Sequence, residues 1–237
     1  MVTSEVPAYS RPPQEIKGIF DTIASKYDFL NSFLSFNQDK SWRRQAVQQS
    51  LKGSEKSLLD IGTGSGAFLE EFLRQHSFLC AVGMDISPEM LTLARRRLGS
   101  RAKLILSEGP AIPFQKNEFD LVSTAFVLRS ISDILAFFKE VYRVLQPGGR
   151  FAILELTRPE KPMMKMLYQT YLKFYLPVVG KLFSGSANAY QFLSSSIQKF
   201  YDVGECVDLL KMAGFNPIHI HSMTGGICTL VIAEKNP

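Results

Sequence analysis

Apolar residues recur every three or four positions in the first part of the chain, which is the period of a helix with one buried face. They predict a helix over 13–30, whose buried stripe would contain Ile16, Phe20, Ile23, Tyr27 and Leu30. A second helix is predicted over 39–51, where an aspartate can cap the start. We expect residues 14–52 to form an N-terminal helical cap and the polar, proline-containing residues 1–13 to form a flexible tail.

After residue 53 the pattern changes to short apolar strands that alternate with helices of about 10 to 15 residues. Strands are predicted at 57–62, 80–86, 102–108, 119–126 and 149–156. Such alternation is typical of a doubly wound parallel sheet in an α/β protein. Two later runs, 216–222 and 228–235, are joined by an MTGGI turn and predict an antiparallel hairpin. We therefore expect one α/β domain over 53–237, with a mostly parallel seven-stranded sheet and a C-terminal antiparallel strand pair.

The composition is that of an ordinary globular protein, since 46% of the 237 residues are hydrophobic and 21% are charged. No run of residues is apolar over the roughly 18 positions that a spanning helix needs. The first residues show neither a basic nor an apolar leader segment, so we expect a cytoplasmic protein. Cys80, Cys206 and Cys228 form no CxxC pair, which predicts core thiols and argues against a disulfide framework or a zinc site.

The net charge of +5 is concentrated in a segment over about 158–200, which holds six basic residues, one acidic residue and eight aromatic residues. The remaining chain is close to neutral, which argues against the broad basic surface of a nucleic-acid-binding protein. This basic aromatic segment predicts an insertion in the domain. It would pack over the site, rest peripherally on anionic lipid at the inner face of the membrane, or do both.

A glycine-rich loop follows the first predicted strand and precedes a helix. It runs from Asp60 through Gly62, Gly64 and Ser65 to Gly66. Glycines at such a junction let a ligand approach the backbone, and the N-terminus of the helix attracts an anion. The loop therefore predicts a nucleotide-like cofactor, and its spacing also fits the dinucleotide pattern of NAD-binding proteins.

Two features favour S-adenosylmethionine over NAD. The carboxylate of Asp60, just before the glycines, suits the ammonium group of an amino-acid ligand, whereas a pyrophosphate gains nothing from an acid there. The antiparallel strand pair near the C-terminus is not required by a dinucleotide-binding fold. NAD remains the alternative from the loop alone.

Two further acids lie where such a cofactor would be held. Asp85 ends the second strand, and a carboxylate at that position can accept hydrogen bonds from both ribose hydroxyls. Glu108 follows the third strand, where its side chain and the backbone of Gly109 can reach the adenine amino group.

These residues resemble the ubiquinone/menaquinone C-methyltransferases, which are class I S-adenosylmethionine-dependent enzymes with a Rossmann-like fold. The resemblance rests on IFDTIASKYDFLNSFLSFNQDKSWRR at 19–44, LLDIGTGSG at 58–66, GMDISPEML at 83–91, FDLVSTAFVLRSISD at 119–133 and YRVLQPGGRFAILELTRP at 142–159. The glycine loop is common to many methyltransferases, whereas the N-terminal stretch and YQFLSSSI at 190–197 are more specific to this family.

The resemblance implies methyl transfer to a ring carbon of a polyprenylated quinol. The implied acceptor is demethylmenaquinol, and a methoxy-polyprenyl-benzoquinol of ubiquinone biosynthesis is the alternative. By position, Ser65, Asp85, Glu108 and Gly109 match the cofactor contacts of the family.

The chain departs from the family pattern at two places. It has Phe-Val-Leu-Arg-Ser at 126–130, where the family usually has Phe-Gly-[Leu/Ile]-Arg-Asn, and Ala125 replaces a frequent serine. It has Glu-Gly-Pro at 108–110, where Asn/Asp-Ala-Glu is usual. These differences affect the adenine contacts and part of the acceptor wall, while the glycine loop and Asp85 are intact.

Methyl transfer from a sulfonium needs no metal and no covalent nucleophile, but a quinol carbon becomes nucleophilic only when its hydroxyl ionises. Arg129, after the fourth strand, is the candidate for stabilising phenolate charge. Tyr27 and Asp28 are the candidates for orienting the hydroxyl, provided that the N-terminal helix covers the pocket. His219 and His221 lie two apart on a late strand, where we expect a polar edge face rather than a metal site.

Three other functions fit parts of the pattern: methylation of RNA or protein, a non-catalytic cofactor-binding module, and a nicotinamide-dependent reductase. The amino-methylase tetrapeptide of the Asn-Pro-Pro-Tyr type is missing, since Asn216-Pro217 is followed by Ile218. No Pro-Cys pair exists for cytosine C5 chemistry. The sequence leaves the oligomeric state open.

Overall fold

The computed structural model describes residues 12–107, 112–175 and 202–237. A seven-stranded sheet runs through its centre. In chain order the strands are β1 (Ser57–Ile61), β2 (Cys80–Asp85), β3 (Lys103–Leu106), β4 (Phe119–Ala125), β5 (Leu145–Leu156), β6 (Phe215–Met223) and β7 (Cys228–Lys235). Each lies where the sequence predicts a strand, although β5 begins earlier than the predicted start at residue 149.

The spatial order of the strands is β3-β2-β1-β4-β5-β7-β6. Neighbours from β3 to β5 are parallel, whereas β7 runs antiparallel to both β5 and β6. The mostly parallel sheet with a C-terminal antiparallel pair is therefore confirmed. The strand order reverses between β1 and β4, so the carboxyl ends of these strands open onto a crevice, which is where open α/β sheets bind ligands.

Eight α-helices lie within the described residues. They are α1 (Pro13–Ile23), α2 (Tyr27–Leu34), α3 (Gln38–Ser50), α4 (Ala67–Gln75), α5 (Pro88–Leu98), α6 (Ile134–Val144), α7 (Pro162–Thr170) and α8 (Val203–Met212). The prediction of a single helix over 13–30 is wrong, because a 3₁₀ turn at Ala24–Lys26 separates α1 from α2. Helix α5 is capped at its start, since Ser87 Oγ accepts a hydrogen bond from the backbone N–H of Met90.

Helices cover both faces of the sheet, as buried parallel strands require. On one face Leu59, Val122 and Phe151 pack with the buried side chains of α6 and α8. On the other face Leu58 and Leu121 pack with those of α3, α4 and α5. The sheet is thus the middle of three layers. Its faces are covered by helices, so a ligand would bind in the crevice at the carboxyl ends of β1 and β4.

The N-terminal helices are joined to elements that lie late in the chain. Trp42 of α3 is buried, and its Nε1 donates to Thr224 Oγ1 at 2.8 Å, in the turn between β6 and β7. Helix α7 continues into one π-helical turn at Tyr171–Tyr175. Its Tyr168 forms a small buried cluster with Leu30 of α2. These contacts fix α3 to the turn between β6 and β7, and α2 to α7.

Several predictions fall outside the described residues. They concern almost all of the tail at 1–13, the contacts of Glu108 and Gly109, and the part of the basic aromatic segment beyond Tyr175. No helix of the described ranges is long and apolar enough to cross a membrane.

Candidate functional site

The glycine loop connects β1 to α4 and contains three glycines with positive φ angles, which other residues adopt only with strain. The angles are +67° at Gly62, +55° at Gly64 and +82° at Gly66. A Cβ added to Gly62 would lie 3.0 Å from Cγ1 of Val127 and closer still to Cγ2. A Cβ on Gly66 would lie 3.0 Å from Cδ1 of Leu98. The glycines therefore let the loop approach both α5 and the segment after β4.

Asp60 is buried at the base of this loop, with 1% of its surface exposed. Its Oδ1 accepts a hydrogen bond from Ser123 Oγ at 2.7 Å, because Asp60 and Ser123 are partners in the β1–β4 pairing. Within the described residues, its Oδ2 has no hydrogen-bond partner, and neither has Thr63 Oγ1. Burial raises the pKa of Asp60 to about 6, although the hydrogen bond from Ser123 opposes the rise. A buried carboxylate oxygen without a donor is a favourable position for a ligand N–H group.

Asp85 ends β2, and its carboxylate shapes the loop. Oδ2 accepts the backbone N–H of Gly64 at 2.7 Å, and Oδ1 accepts that of Ser87 at 2.9 Å. Burial raises the pKa of Asp85, and these two N–H groups oppose the rise. Each carboxylate oxygen has a second lone pair. Asp85 can therefore accept further hydrogen bonds while it continues to hold the loop.

A network of three side chains joins α2 to the glycine loop. Ser65, which is 2% exposed, donates from Oγ to Asp28 Oδ1 at 2.6 Å. Arg97 of α5 donates to Asp28 Oδ2 at 2.6 Å and to Ser65 Oγ at 2.9 Å. The carboxylate of Asp28 is thus oriented toward the loop by two donors. Sequence reasoning missed Arg97, which is one of three consecutive arginines in α5 and has no distinguishing signal.

Tyr27 lies beside the same loop, since a Cβ on Gly64 would be 3.8 Å from Cε1 of its ring. Burial raises the pKa of the Tyr27 phenol. The Asn31 side chain and the positive charges of Arg43 and Arg129 oppose that rise. The phenol is therefore within electrostatic reach of two arginines.

Arg43 is a second residue that sequence reasoning missed. It projects from α3, is 8% exposed, and donates from Nη1 to Asp39 Oδ2 at 2.6 Å. Its guanidinium carbon lies 5.5 Å from the ring centroid of Phe126, which follows β4 with a φ of +62°. The signal that could have identified Arg43 is its place in SWRR, within the stretch that resembles the family.

Arg129 lies in the 3₁₀ turn after β4, and it is 6% exposed. Its Nε donates to Glu155 Oε1 at 2.9 Å. Glu155 belongs to β5 and also accepts the backbone N–H groups of Leu128 and Leu156. Burial raises the pKa of Glu155, and the charge of Arg129 opposes the rise. Sequence reasoning missed this ion pair. Its signal was Glu155, the single acid in the apolar run FAILEL, since a buried acid needs a partner.

The side chains that commonly bind metals are scattered. His219 is exposed and His221 is half-buried, and both lie on the edge strand β6. Cys206 and Cys228 are buried, but Cys80 is exposed, so the prediction of a core thiol is wrong there, because Cys80 begins β2 at its outer end. The described residues contain no group of three His, Cys, Asp or Glu side chains that could hold a metal ion.

The strand order, the glycine loop after β1 and the acid that ends β2 define a class I S-adenosylmethionine-dependent methyltransferase fold. A solved methyltransferase of Thermotoga maritima, described as S-adenosylmethionine-dependent, matches with a TM-score of 0.67 and 18% identity over 93% of this chain and 100% of its own. One from Aquifex aeolicus matches with a TM-score of 0.61 and 19% identity over 95% and 99%. The chain belongs to the ubiE/COQ5 methyltransferase family, whose sequence profile matches residues 10–235.

Curated relatives are similar to this chain along almost their whole length. The demethylmenaquinone methyltransferase of Staphylococcus saprophyticus is 34% identical over 225 residues, which cover 94% of this chain and 97% of the relative. The ubiquinone/menaquinone biosynthesis C-methyltransferase UbiE of Geotalea daltonii is 37% identical over 228 residues, with coverage of 94% and 97%. The resemblance found in the sequence is confirmed, and the chain is a methyltransferase.

Proposed function

We propose that this methyltransferase transfers a methyl group from S-adenosylmethionine to a ring carbon of demethylmenaquinol, which yields menaquinol. The observation that carries the proposal is the full-length similarity to relatives named demethylmenaquinone methyltransferase, at 34% identity for that of Staphylococcus saprophyticus. The geometry of the crevice supports it, because the residues around the glycine loop suit the cofactor and a buried cation suits the acceptor.

The residues of the loop fit S-adenosylmethionine. The unpartnered Oδ2 of Asp60 would accept a hydrogen bond from the ammonium group of the methionine moiety, and the loop glycines with Ser65 would lie along that moiety. Asp85 would accept hydrogen bonds from the ribose hydroxyls while it retains its backbone donors. Glu108 and the backbone of Gly109 would bind the adenine amino group.

S-adenosylmethionine supplies an electrophilic methyl group when it is bound. The chain itself has to make the acceptor carbon nucleophilic, hold it in line and exclude water. The positive charge of Arg129 would stabilise the phenolate that forms when the quinol loses a hydroxyl proton. Glu155 holds that guanidinium through Nε. Fixed alignment of this kind can correspond to effective molarities of roughly 10⁵ to 10⁸ M.

The N-terminal helices would complete the pocket. The Tyr27 phenol would orient the ring hydroxyl of the acceptor from beside the glycine loop. Asp28, the next residue, would fix the position of Tyr27, because its carboxylate binds Ser65 and Arg97. A cap held in this way would also keep water from the reacting atoms.

The reaction is tested by incubating the protein with S-adenosylmethionine that carries a labelled methyl group and with chemically reduced demethylmenaquinone under argon. We expect labelled menaquinone in the lipid extract by mass spectrometry. The matched control is the oxidised quinone, which has no hydroxyl to ionise and should accept no label. Label recovered from added RNA or protein, or no label at all, would contradict the proposal. Calorimetric titration with NADH should show no binding.

A second candidate acceptor is 2-polyprenyl-6-methoxy-1,4-benzoquinol. It is favoured by the relatives from Geotalea, whose names include ubiquinone as well as menaquinone biosynthesis. Both quinols present an ionisable hydroxyl and a prenyl tail, so the same residues would serve. A competition assay with equal amounts of both reduced quinones and limiting enzyme distinguishes the two, since the preferred acceptor takes most of the label.

We also propose that the start of the basic aromatic segment contacts an anionic lipid surface. Helix α7 and the turn after it carry exposed apolar side chains, namely Met163, Met166, Leu167 and Phe174. Exposed lysines lie among them at Lys161, Lys165 and Lys173. Apolar insertion together with attraction to anionic headgroups is the usual basis of peripheral binding.

Co-sedimentation with phosphatidylglycerol vesicles at low salt tests the lipid contact. We expect the protein to sediment with these vesicles and the variant Lys165→Gln/Lys173→Gln to lose much of that binding. The matched control Lys103→Gln/Lys139→Gln removes the same charge from exposed positions on β3 and α6 and should bind like the wild type. Equal loss in both variants would assign the binding to net charge and refute a specific surface.

A further inference from the structure

Three stacked tyrosines and one phenylalanine form a continuous row of aromatic rings, where α7 and its π-helical turn meet the end of α2. The ring centroids of Tyr168 and Tyr171 lie 6.2 Å apart with planes only 3° apart. Those of Tyr171 and Tyr175 lie 5.2 Å apart. The ring of Phe36 is tilted against that of Tyr175 at 5.2 Å and meets that of Tyr171 edge-on at 6.3 Å. These separations are those of interacting aromatic pairs. We call Tyr168, Tyr171, Tyr175 and Phe36 the aromatic ladder.

The inner end of the ladder borders the proposed acceptor site. Tyr168 is 7% exposed and packs with Leu30 of α2. Burial raises the pKa of its phenol to about 12, and the charges of both Arg129 and Glu155 act on it. Leu156 packs against the cluster of Tyr168 and Leu30, and it directly follows Glu155, whose carboxylate holds Arg129. A ring bound beside Arg129 would therefore lie near Tyr168.

The outer end of the ladder reaches the surface. Phe36 is 63% exposed and has a φ of +52°, in the left-handed region that bulky residues rarely adopt. The hydroxyl of Tyr171 donates to the carbonyl oxygen of Leu34 at 2.8 Å, which ties the middle of the ladder to the end of α2. An exposed apolar side chain on a strained backbone contributes little to the stability of the folded protein. Such strain is commonly retained at binding sites.

We propose that the aromatic ladder binds the isoprenoid tail of the methyl acceptor. The inference rests on the proposed function, because a prenylated quinol whose ring lies beside Arg129 must lead its tail out of the crevice. The ring edges along the ladder and the exposed ring of Phe36, with Leu34 and Leu156 packed beside the inner end, offer dispersion contacts to an unsaturated hydrocarbon. The tail would leave at Phe36, on the side of the molecule proposed to contact lipid.

The test compares two acceptors that share one ring, a demethylnaphthoquinol with several isoprene units and the same quinol without a tail. Tyr171→Ala removes a ring from the middle of the ladder, and Phe36→Ala removes an exposed one without disturbing the core. We expect each variant to lower kcat/KM for the tailed acceptor at least ten-fold and to leave kcat/KM for the tail-less acceptor within two-fold of wild type. Tyr171→Phe keeps the ring and should retain the preference for the tailed acceptor.

Binding of the oxidised, unreactive quinones is measured in parallel by quenching of intrinsic fluorescence. Wild type should bind the tailed quinone more tightly than the tail-less one, and Tyr171→Ala should remove the difference. Equal binding of both quinones by wild type, or an equal loss of kcat/KM for both acceptors in the variants, would overturn the ladder as a tail site. Tighter binding of the tailed quinone without any methylation would instead overturn the proposed reaction and leave the tail site standing.

Discussion

Replacing Gly62 by alanine tests whether the glycine loop depends on its close approach to the segment after β4. The new methyl group would meet two obstacles. The φ of +67° strains any residue with a Cβ, and that Cβ would overlap the Val127 methyl groups, with 3.0 Å to Cγ1. Gly53 provides a matched control, since it has a φ of +88° and nothing within 4 Å of its Cβ position.

The two variants separate backbone strain from steric overlap. A left-handed backbone conformation costs an L-residue about 1–2 kcal/mol, and the free energy of unfolding of both variants should fall by this amount. Overpacking costs a further 1–3 kcal/mol or so, and only Gly62→Ala should show this additional decrease in the free energy of unfolding. For a chain of this size about 1 kcal/mol corresponds to roughly 2–4 °C in Tm. The steric part should therefore lower Tm by about 2–12 °C beyond the control.

Urea unfolding of wild type, both glycine variants, Val127→Ala and the double variant Gly62→Ala/Val127→Ala measures these free energies. Val127→Ala removes the two methyl groups in the way, so it should recover much of the steric loss in the Gly62→Ala background. The reasoning is refuted if Gly62→Ala is no less stable than Gly53→Ala, or if Val127→Ala adds its own cost without any recovery.

Three further predictions concern charged groups. Because burial raises the pKa of Asp60 from 3.8 to about 6, the folded state binds this proton more tightly than the unfolded chain. The contribution of Asp60 to stability should thus fall by up to about 3 kcal/mol as pH rises from about 4 to about 6 and then level off, and the difference between wild type and Asp60→Asn in urea unfolding at each pH should follow this course. Glu155→Gln removes the negative charge that faces the buried guanidinium of Arg129 and should cost about 3–5 kcal/mol in the same unfolding assay, whereas Glu160→Gln, at an exposed position, should change little. Asp28→Asn should cost only about 1 kcal/mol, because its ion pair is partly exposed. It should still speed amide exchange in α2 and raise the Kd for S-adenosylmethionine several-fold, and unchanged exchange would show that the network does not hold the cap.

Most of the fold could be predicted from the sequence because its strands are short, apolar and separated by helices with recognisable caps. Ser87 before Pro88 marks the start of α5. Strands β6 and β7 pair as the antiparallel hairpin that the sequence predicts. The break between α1 and α2 could not be predicted, since the apolar period continues through Ala24–Lys26. The chain turns there so that Tyr27 and Asp28 reach the glycine loop, a contact between residues far apart in sequence.

The same distinction separates the site residues that the sequence identified from those it missed. Asp60 and Asp85 could be recognised because they stand at strand ends in a local βαβ unit. Arg97 and Glu155 depend on partners in other elements, 69 positions away for Asp28 and 26 for Arg129. A charged residue that acts through such a distant partner looks like any other surface charge when only spacing is considered.

The hydrogen bond between Trp42 and Thr224 spans 182 positions of the chain. During synthesis the cap helices leave the ribosome first, but this link cannot form until the hairpin that carries Thr224 has followed. A nascent chain that already contains the parallel strands therefore still lacks the hydrogen bond that fastens α3 to this hairpin. Helix α3 should accordingly reach its final position only after β6 and β7 have been added.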